Sequence, residues 1–184
     1  IGFYEFGKNY CVPRINYLPY SDDKYIGTGL PFLELFEIDA PENPLAHALF
    51  ELYEEKRNIA RGLPFWREFE LLEMVRLGLA KYIFVLEPVD AGTDWRYRLL
   101  GTEIVSRFRI DRTGQKFRDF IDPANAEQLI QVSNRIASSG ASGFFRLTPR
   151  NPEFSHLQIE TMSLPIRNNT DEETWLLGGT FYGE

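Results

Sequence analysis

The stretch that decides the fold is DWRYRLLGTEI, Asp94–Ile104. Trp95, Tyr97 and Leu99 alternate with Arg96 and Arg98 before the run stops at Gly101-Thr102. Alternation with period two marks a strand with one buried face, because successive side chains leave the pleat on opposite sides. On that reading Trp95, Tyr97 and Leu99 point inward and the two arginines point away. A catalytic basic motif or a strand touching nucleic acid would also place arginines here, but a solvated or salt-bridged sheet face needs no further assumption. Gly101 then breaks the strand and Thr102 caps a short helix, with Ile104 and Phe108 one turn apart on its inner side.

The chain around this strand has 184 residues, enough for one well-filled domain with an extension and short for two. A hydrophobic share of 43% and an aromatic share of 15% exclude a disordered chain. No apolar run approaches the ~18 residues that would span a bilayer. The formal net charge of −7 argues against a general affinity for nucleic acid or an anionic membrane. Cys11 stands alone, which leaves no disulfide framework or Cys-based metal site and fits a reducing cytosol. Nothing near Ile1 has the basic-then-apolar pattern of a signal peptide, so a cytoplasmic location is expected.

Residues 1–43 mix Gly, Pro and scattered tyrosines without a period and read as an irregular arm, with strand-like FLELFEI at Phe32–Ile38. Gly27 and Gly29 precede Leu30-Pro31 without strand–helix context, so a plain turn is read there rather than a dinucleotide loop. Residues 44–184 form a single domain. It opens with an amphipathic helix over 44–60, roughly 25 Å long at the standard rise. Asn43 caps that helix, Pro44 fits its first turn, and Leu45, Leu49, Leu52 and Ile59 make its apolar stripe.

Beyond short helical turns over 65–80, Tyr82–Glu87 is an apolar strand and Trp95–Leu100 the alternating one. Asp122 caps a second long helix, in which Leu129, Val132 and Ile136 form the stripe and which Gly140 closes. Three strands follow at Gly143–Thr148, His156–Pro165 and Thr174–Tyr182. The apolar parity of the middle one shifts near Glu160–Thr161, as a bulge would cause. The first and last strands are apolar on both faces and belong in the middle of a sheet covered on both sides. The central helices cover one side, and the helix from Pro44 is the candidate for the other.

That order resembles a PAS domain. The segment RYRLLGTEIVSRFRIDRTGQKFRDFIDPAN resembles the PAS core: a strand, a short helix, a Gly before an x-F/L-x-D-F/L-I run, then a Pro opening the long helix. More narrowly, LPFWREFE and DWRYRLLGTEIVSRFRIDRTGQ are similar to an alphaproteobacterial PAS subfamily with F-R-Y-R-L-x-G-T and G-x-D-L-T-G patterns. Arg109 stands where that pattern has Gly, Arg112 replaces a Leu, and WREFE approximates R-x-D-F-D. The likeness covers about residues 45–182. It implies an α+β fold with a five-stranded antiparallel sheet in the order 2-1-5-4-3, helices on one face and the N-terminal helix on the other. It implies no catalytic residue.

The chemistry-bearing residues are sparse. His47 and His156 have no second His or Cys at ligand spacing, and Cys11 lies in the arm, so no metal, haem or covalent flavin site is expected and no cofactor is assigned. Arg107, Arg109, Arg112, Lys116 and Arg118, set among Asp111 and Asp119, could hold an anion but read first as a solvated connector. Tyr97, Leu99, Ile104, Phe108, Phe117, Phe120, Phe145 and Leu147 are expected to converge between sheet and helices. A cavity among them would suit a small, mostly apolar ligand held by a few polar groups. The expected role is a sensory or regulatory module in signal transduction, acting through ligand binding or a downstream protein and without catalysis. The rival reading is a small cone-shaped α+β enzyme of the isomerase or dehydratase sort, which would need an acid–base pair in the pocket. Ala46, Phe50 and Tyr53 form a second stripe on the 44–60 helix, from which a homodimer through that helix is expected.

Overall fold

In the computed structural model the residues described are 32–108, 110–149, 158–170 and 172–183. Ile83–Val89 (β2) and Thr174–Gly183 (β6) are almost continuously buried over their central positions and pair with each other in the middle of the sheet. Asp94–Leu100 (β3) lies outside β2. On the other side follow Gln158–Arg167 (β5), Gly143–Pro149 (β4) and Phe32–Ile38 (β1). The full order is β1-β4-β5-β6-β2-β3, with every neighbouring pair antiparallel.

Five of these strands reproduce the expected 2-1-5-4-3 order; the sixth, β1, is a correction to the five-stranded expectation. The edge of β4 would otherwise present unpaired backbone N–H and C=O groups, and the β1 ladder satisfies them. Leu35 buries its side chain in the helix-side core, and Glu37 accepts from Arg135 of the long helix. The boundary drawn at residue 43 therefore falls inside the folded unit. The arm proper, residues 1–31, with Cys11, Gly27 and Gly29, lies outside the described residues.

Pro44–Ala60 (α1) begins where Asn43 accepts from the Leu45 N–H, and it ends at Arg61 in the left-handed conformation. It lies on β5 and β6. Leu49 and Leu52 are buried as the stripe requires, whereas Ile59 is 69% exposed. Ala46 and Tyr53 are also buried, and Phe50 packs edge-on against Phe144 at 5.0 Å. This corrects the second stripe: it is covered within the chain. A helix lying on a broad sheet buries an arc of about 100° or more, wide enough to take both stripes. Tyr53 donates its hydroxyl to the Pro165 carbonyl at 2.8 Å and locks this contact. Leu71–Arg76 (α2), tied to α1 by Lys56–Glu73, completes the outer layer with Met74 buried.

Thr102–Phe108 (α3), Phe117–Phe120 (α4) and Pro123–Ser139 (α5) cover the opposite face. Asp122 caps α5 and Gly140 closes it. Gly101 is the hinge into α3: a Cβ there would sit 2.4 Å from the Lys81 carbonyl oxygen, so only glycine lets the backbones approach. The core therefore consists of two apolar clusters, one on each side of the sheet.

Candidate ligand-binding interior

The helix-side surface of the sheet depends on one irregularity in β3. Val85 pairs with Leu99 and Leu86 with Tyr97, so Arg98 is an extra residue with no partner of its own. The bulge reverses the alternation beyond it. Tyr97 faces the helices, Leu99 joins the outer cluster, and Leu100 returns to the helix side. Leu99 is thus corrected from an inward to an outward position. Both arginines converge on the buried Glu87: Arg96 at 2.6 Å and Arg98 at 3.3 Å, with Arg98 also 4.7 Å from the Trp175 ring centroid. They are a salt-bridged sheet face.

Of the other predicted pocket residues, Tyr97, Ile104, Phe117, Phe120, Phe145 and Leu147 all belong to the helix-side cluster. The Phe108 side chain lies outside the described residues, as does His156. Tyr97 is held by three rings: Phe84 edge-on at 6.0 Å, Phe117 edge-on at 5.6 Å, and Phe120 tilted at 6.2 Å. Phe84 can take its place because Gly178 lies beneath it without a side chain. Trp95 is fixed to α5 by donating its indole N–H to Asn134 at 2.8 Å.

The polar part of this surface was not foreseen. β5 and β6 pair without interruption from Gln158–Gly183 to Arg167–Thr174, so no bulge exists at Glu160–Thr161. Ile159 and Tyr182 share the helix side, and by parity so do Thr161 with Thr180 and Ser163 with Gly178. The apparent shift in β5 arises because its inward positions turn from apolar to hydroxyl-bearing while Met162, Leu164 and Ile166 continue the outward stripe. Thr161 donates to the Gly179 carbonyl at 3.0 Å and lies 3.3 Å from the Thr180 hydroxyl. Thr161 and Ser163 are half-buried in a strand that α1 touches on one side and α5 on the other. Tyr97, Tyr182, Leu129 and Val132 are half-buried in the same layer. The sequence sign of this surface was the polar break in the β5 pattern.

Burial raises the phenol pKa of Tyr97, and the Tyr182 phenol nearby adds to the effect. Burial likewise pushes Tyr182 up to about 12, although Arg107, stacked 4.5 Å from its ring centroid, works the other way. Both hydroxyls therefore keep their protons at neutral pH. The connector arginines disperse onto partners: Arg107 on Glu103, Arg112 on Gln115, and Arg118 on Glu127. Lys116 pairs with Asp90 at the rim of an open groove of about 590 Å³ by the β2–β3 hairpin. His47 is exposed on α1. Among the described residues no group of His, Cys, Asp and Glu could hold a metal ion, and no helix is long and apolar enough to cross a membrane.

An antiparallel sheet with helices on both faces, and an interior lined by rings and hydroxyls, defines the class: a single α+β domain whose enclosed side faces the α3–α5 layer. The family model described as a PAS domain matches residues 42–180, and the chain belongs to that family. β1 lies outside the matched span. No curated protein and no solved structure matches the chain. PAS domains are sensory and regulatory modules, generally without enzymatic activity.

Proposed function

We propose that this PAS domain senses a small, mostly apolar ligand held between the sheet and helices α3–α5, and signals through a protein partner without catalysing a reaction. The observation that carries this reading is the row of half-buried hydroxyls, Thr161 and Ser163, on the helix side of β5 beside Tyr97 and Tyr182. Thr161, Ser163, Thr180 and Tyr182, the inward polar side chains in the middle of β5 and β6, carry hydroxyls, which favours holding a ligand over acid–base chemistry at an enzyme site. The likeness of residues 94–124 to the alphaproteobacterial subfamily belongs to the same reading. Native mass spectrometry of the purified chain is the test, with a visible spectrum beside it. A non-covalent mass that leaves on denaturation, in colourless protein, is the expected result. A covalently attached, coloured group would overturn it, as would a chain that neither carries nor takes up any small molecule.

Self-association through the α1 region also belongs to this reading. With Ala46 and Tyr53 buried, the apolar side chains left for it are Ile59 at the end of α1 and Leu71, Leu72 and Val75 on α2. Leu72→Glu with Val75→Glu should give a folded monomer by light scattering. A wild-type chain that is monomeric at high concentration sinks the dimer, and a double variant that stays dimeric sinks this surface.

A further inference from the structure

The tyrosines of the interior say more about its ligand, given the ligand-binding reading above. Tyr97 and Tyr182 make no hydrogen bond through their hydroxyls to any described residue. Tyr97 is nevertheless fixed by three aromatic neighbours, so its hydroxyl is a placed group and not a mobile one. Both tyrosines are half-buried, so each hydroxyl can bond to water, and a ligand oxygen that takes the water's place keeps that bond while its apolar part is buried. Among the described residues, Ile159, Thr161, Ser163, Thr180 and Tyr182, which face this interior from β5 and β6, carry no positive charge. The guanidinium groups at its edge, Arg107 and Arg112, stack on Tyr182 and Phe120 and are bonded to Glu103 and Gln115. An anion entering here would lose its hydration without a free counter-charge beneath it, whereas a neutral oxygen would lose far less.

We propose that the interior recognises a neutral, mostly apolar molecule bearing a carbonyl-type oxygen, which accepts the Tyr97 hydroxyl with Tyr182 beside it. Three probes of one size separate the alternatives: acetophenone carries the acceptor, ethylbenzene lacks it, and benzoate carries a charge. Affinities for the full chain are read by ligand-observed NMR titration. Acetophenone should bind about 2–10-fold more tightly than ethylbenzene, the value of one neutral hydrogen bond. Benzoate should bind more weakly than acetophenone. Tyr97→Phe should bring acetophenone down to ethylbenzene while leaving ethylbenzene unchanged. Benzoate binding more tightly than acetophenone, with the gain lost in Arg112→Gln, would overturn the neutral-ligand proposal and leave the ligand-binding reading standing. Equal binding of acetophenone by wild type and Tyr97→Phe would also overturn it. If none of the probes binds, the ligand-cavity reading fails and this proposal fails with it.

Discussion

Phe84 lies on Gly178: a side-chain carbon added at 178 would stand 2.1 Å from the Phe84 ring and 2.6 Å from the Met162 carbonyl oxygen. The aromatic wall that holds Tyr97 thus depends on a missing side chain two strands away from it. Gly178→Ala should cost about 1–3 kcal/mol, the usual penalty of overpacking, measured by urea denaturation. Phe84→Leu in the same chain should recover part of that loss, because the two sites share one space. Additive losses would show that the ring does not depend on the glycine.

Trp95 and Asn134 join the β2–β3 hairpin side of the sheet to α5. The indole is 1% exposed, and Asn134 also donates to the Gly92 carbonyl at 3.1 Å. Asn134→Ala strands a buried N–H and should cost about 1–3 kcal/mol in a denaturant titration. Asn134→Asp keeps the acceptor and should cost less. Equal losses for both variants would point to the Gly92 bond instead.

Arg61 ends α1 with φ 52°, a conformation that costs a residue with a Cβ about 1–2 kcal/mol. Its exposed side chain makes no bond among the described residues, so Arg61→Gly removes strain and little else. Part of the gain is offset by the freedom glycine has in the unfolded chain. A net gain of about 0.5–1 kcal/mol should appear as a melting temperature about 1–4 °C higher by calorimetry. A lower melting temperature would mean that the arginine has a role its geometry does not explain.

Tyr53, Tyr97 and Tyr182 all have phenol pKa values raised mainly by burial, Tyr53 and Tyr182 to about 12. The native state keeps these protons after the unfolded chain has released them near its ordinary value of 10.0. Their contribution to stability is therefore complete below pH 10.0 and is lost as pH rises through about 12. Phenolate absorbance should show a group of late-titrating tyrosines among the chain's 9, and thermal stability should fall over the same window. Titration of all of them near the ordinary value in folded protein would contradict the burial.

Much of the fold could be read from local pattern. Helix ends follow from Asn43-Pro44 and Asp122-Pro123, because capping depends on residues within a single turn. The central place of β2 and β6 follows from side chains apolar on both faces, and the motif around Asp94–Asn125 identified the family that the match over residues 42–180 shows. What local pattern could not supply was any feature whose cause lies on another strand or helix. Strict alternation assigned Leu99 to the interior, but the bulge at Arg98 exists only in the pairing of β3 with β2. Ala46 and Tyr53 form a second stripe in isolation and one face with Leu49 once a broad sheet lies beneath them. FLELFEI read as strand-like by itself, but its place as a sixth strand exists only in its pairing with the free edge of β4. Thr161 and Ser163 look like a break in β5 until register puts them on the enclosed side of the sheet with Thr180 and Tyr182. Composition and periodicity are properties of neighbours along the chain, and they determined which elements form. Which side chains share an interior is set by register between strands far apart in sequence, and only the tertiary structure decided it.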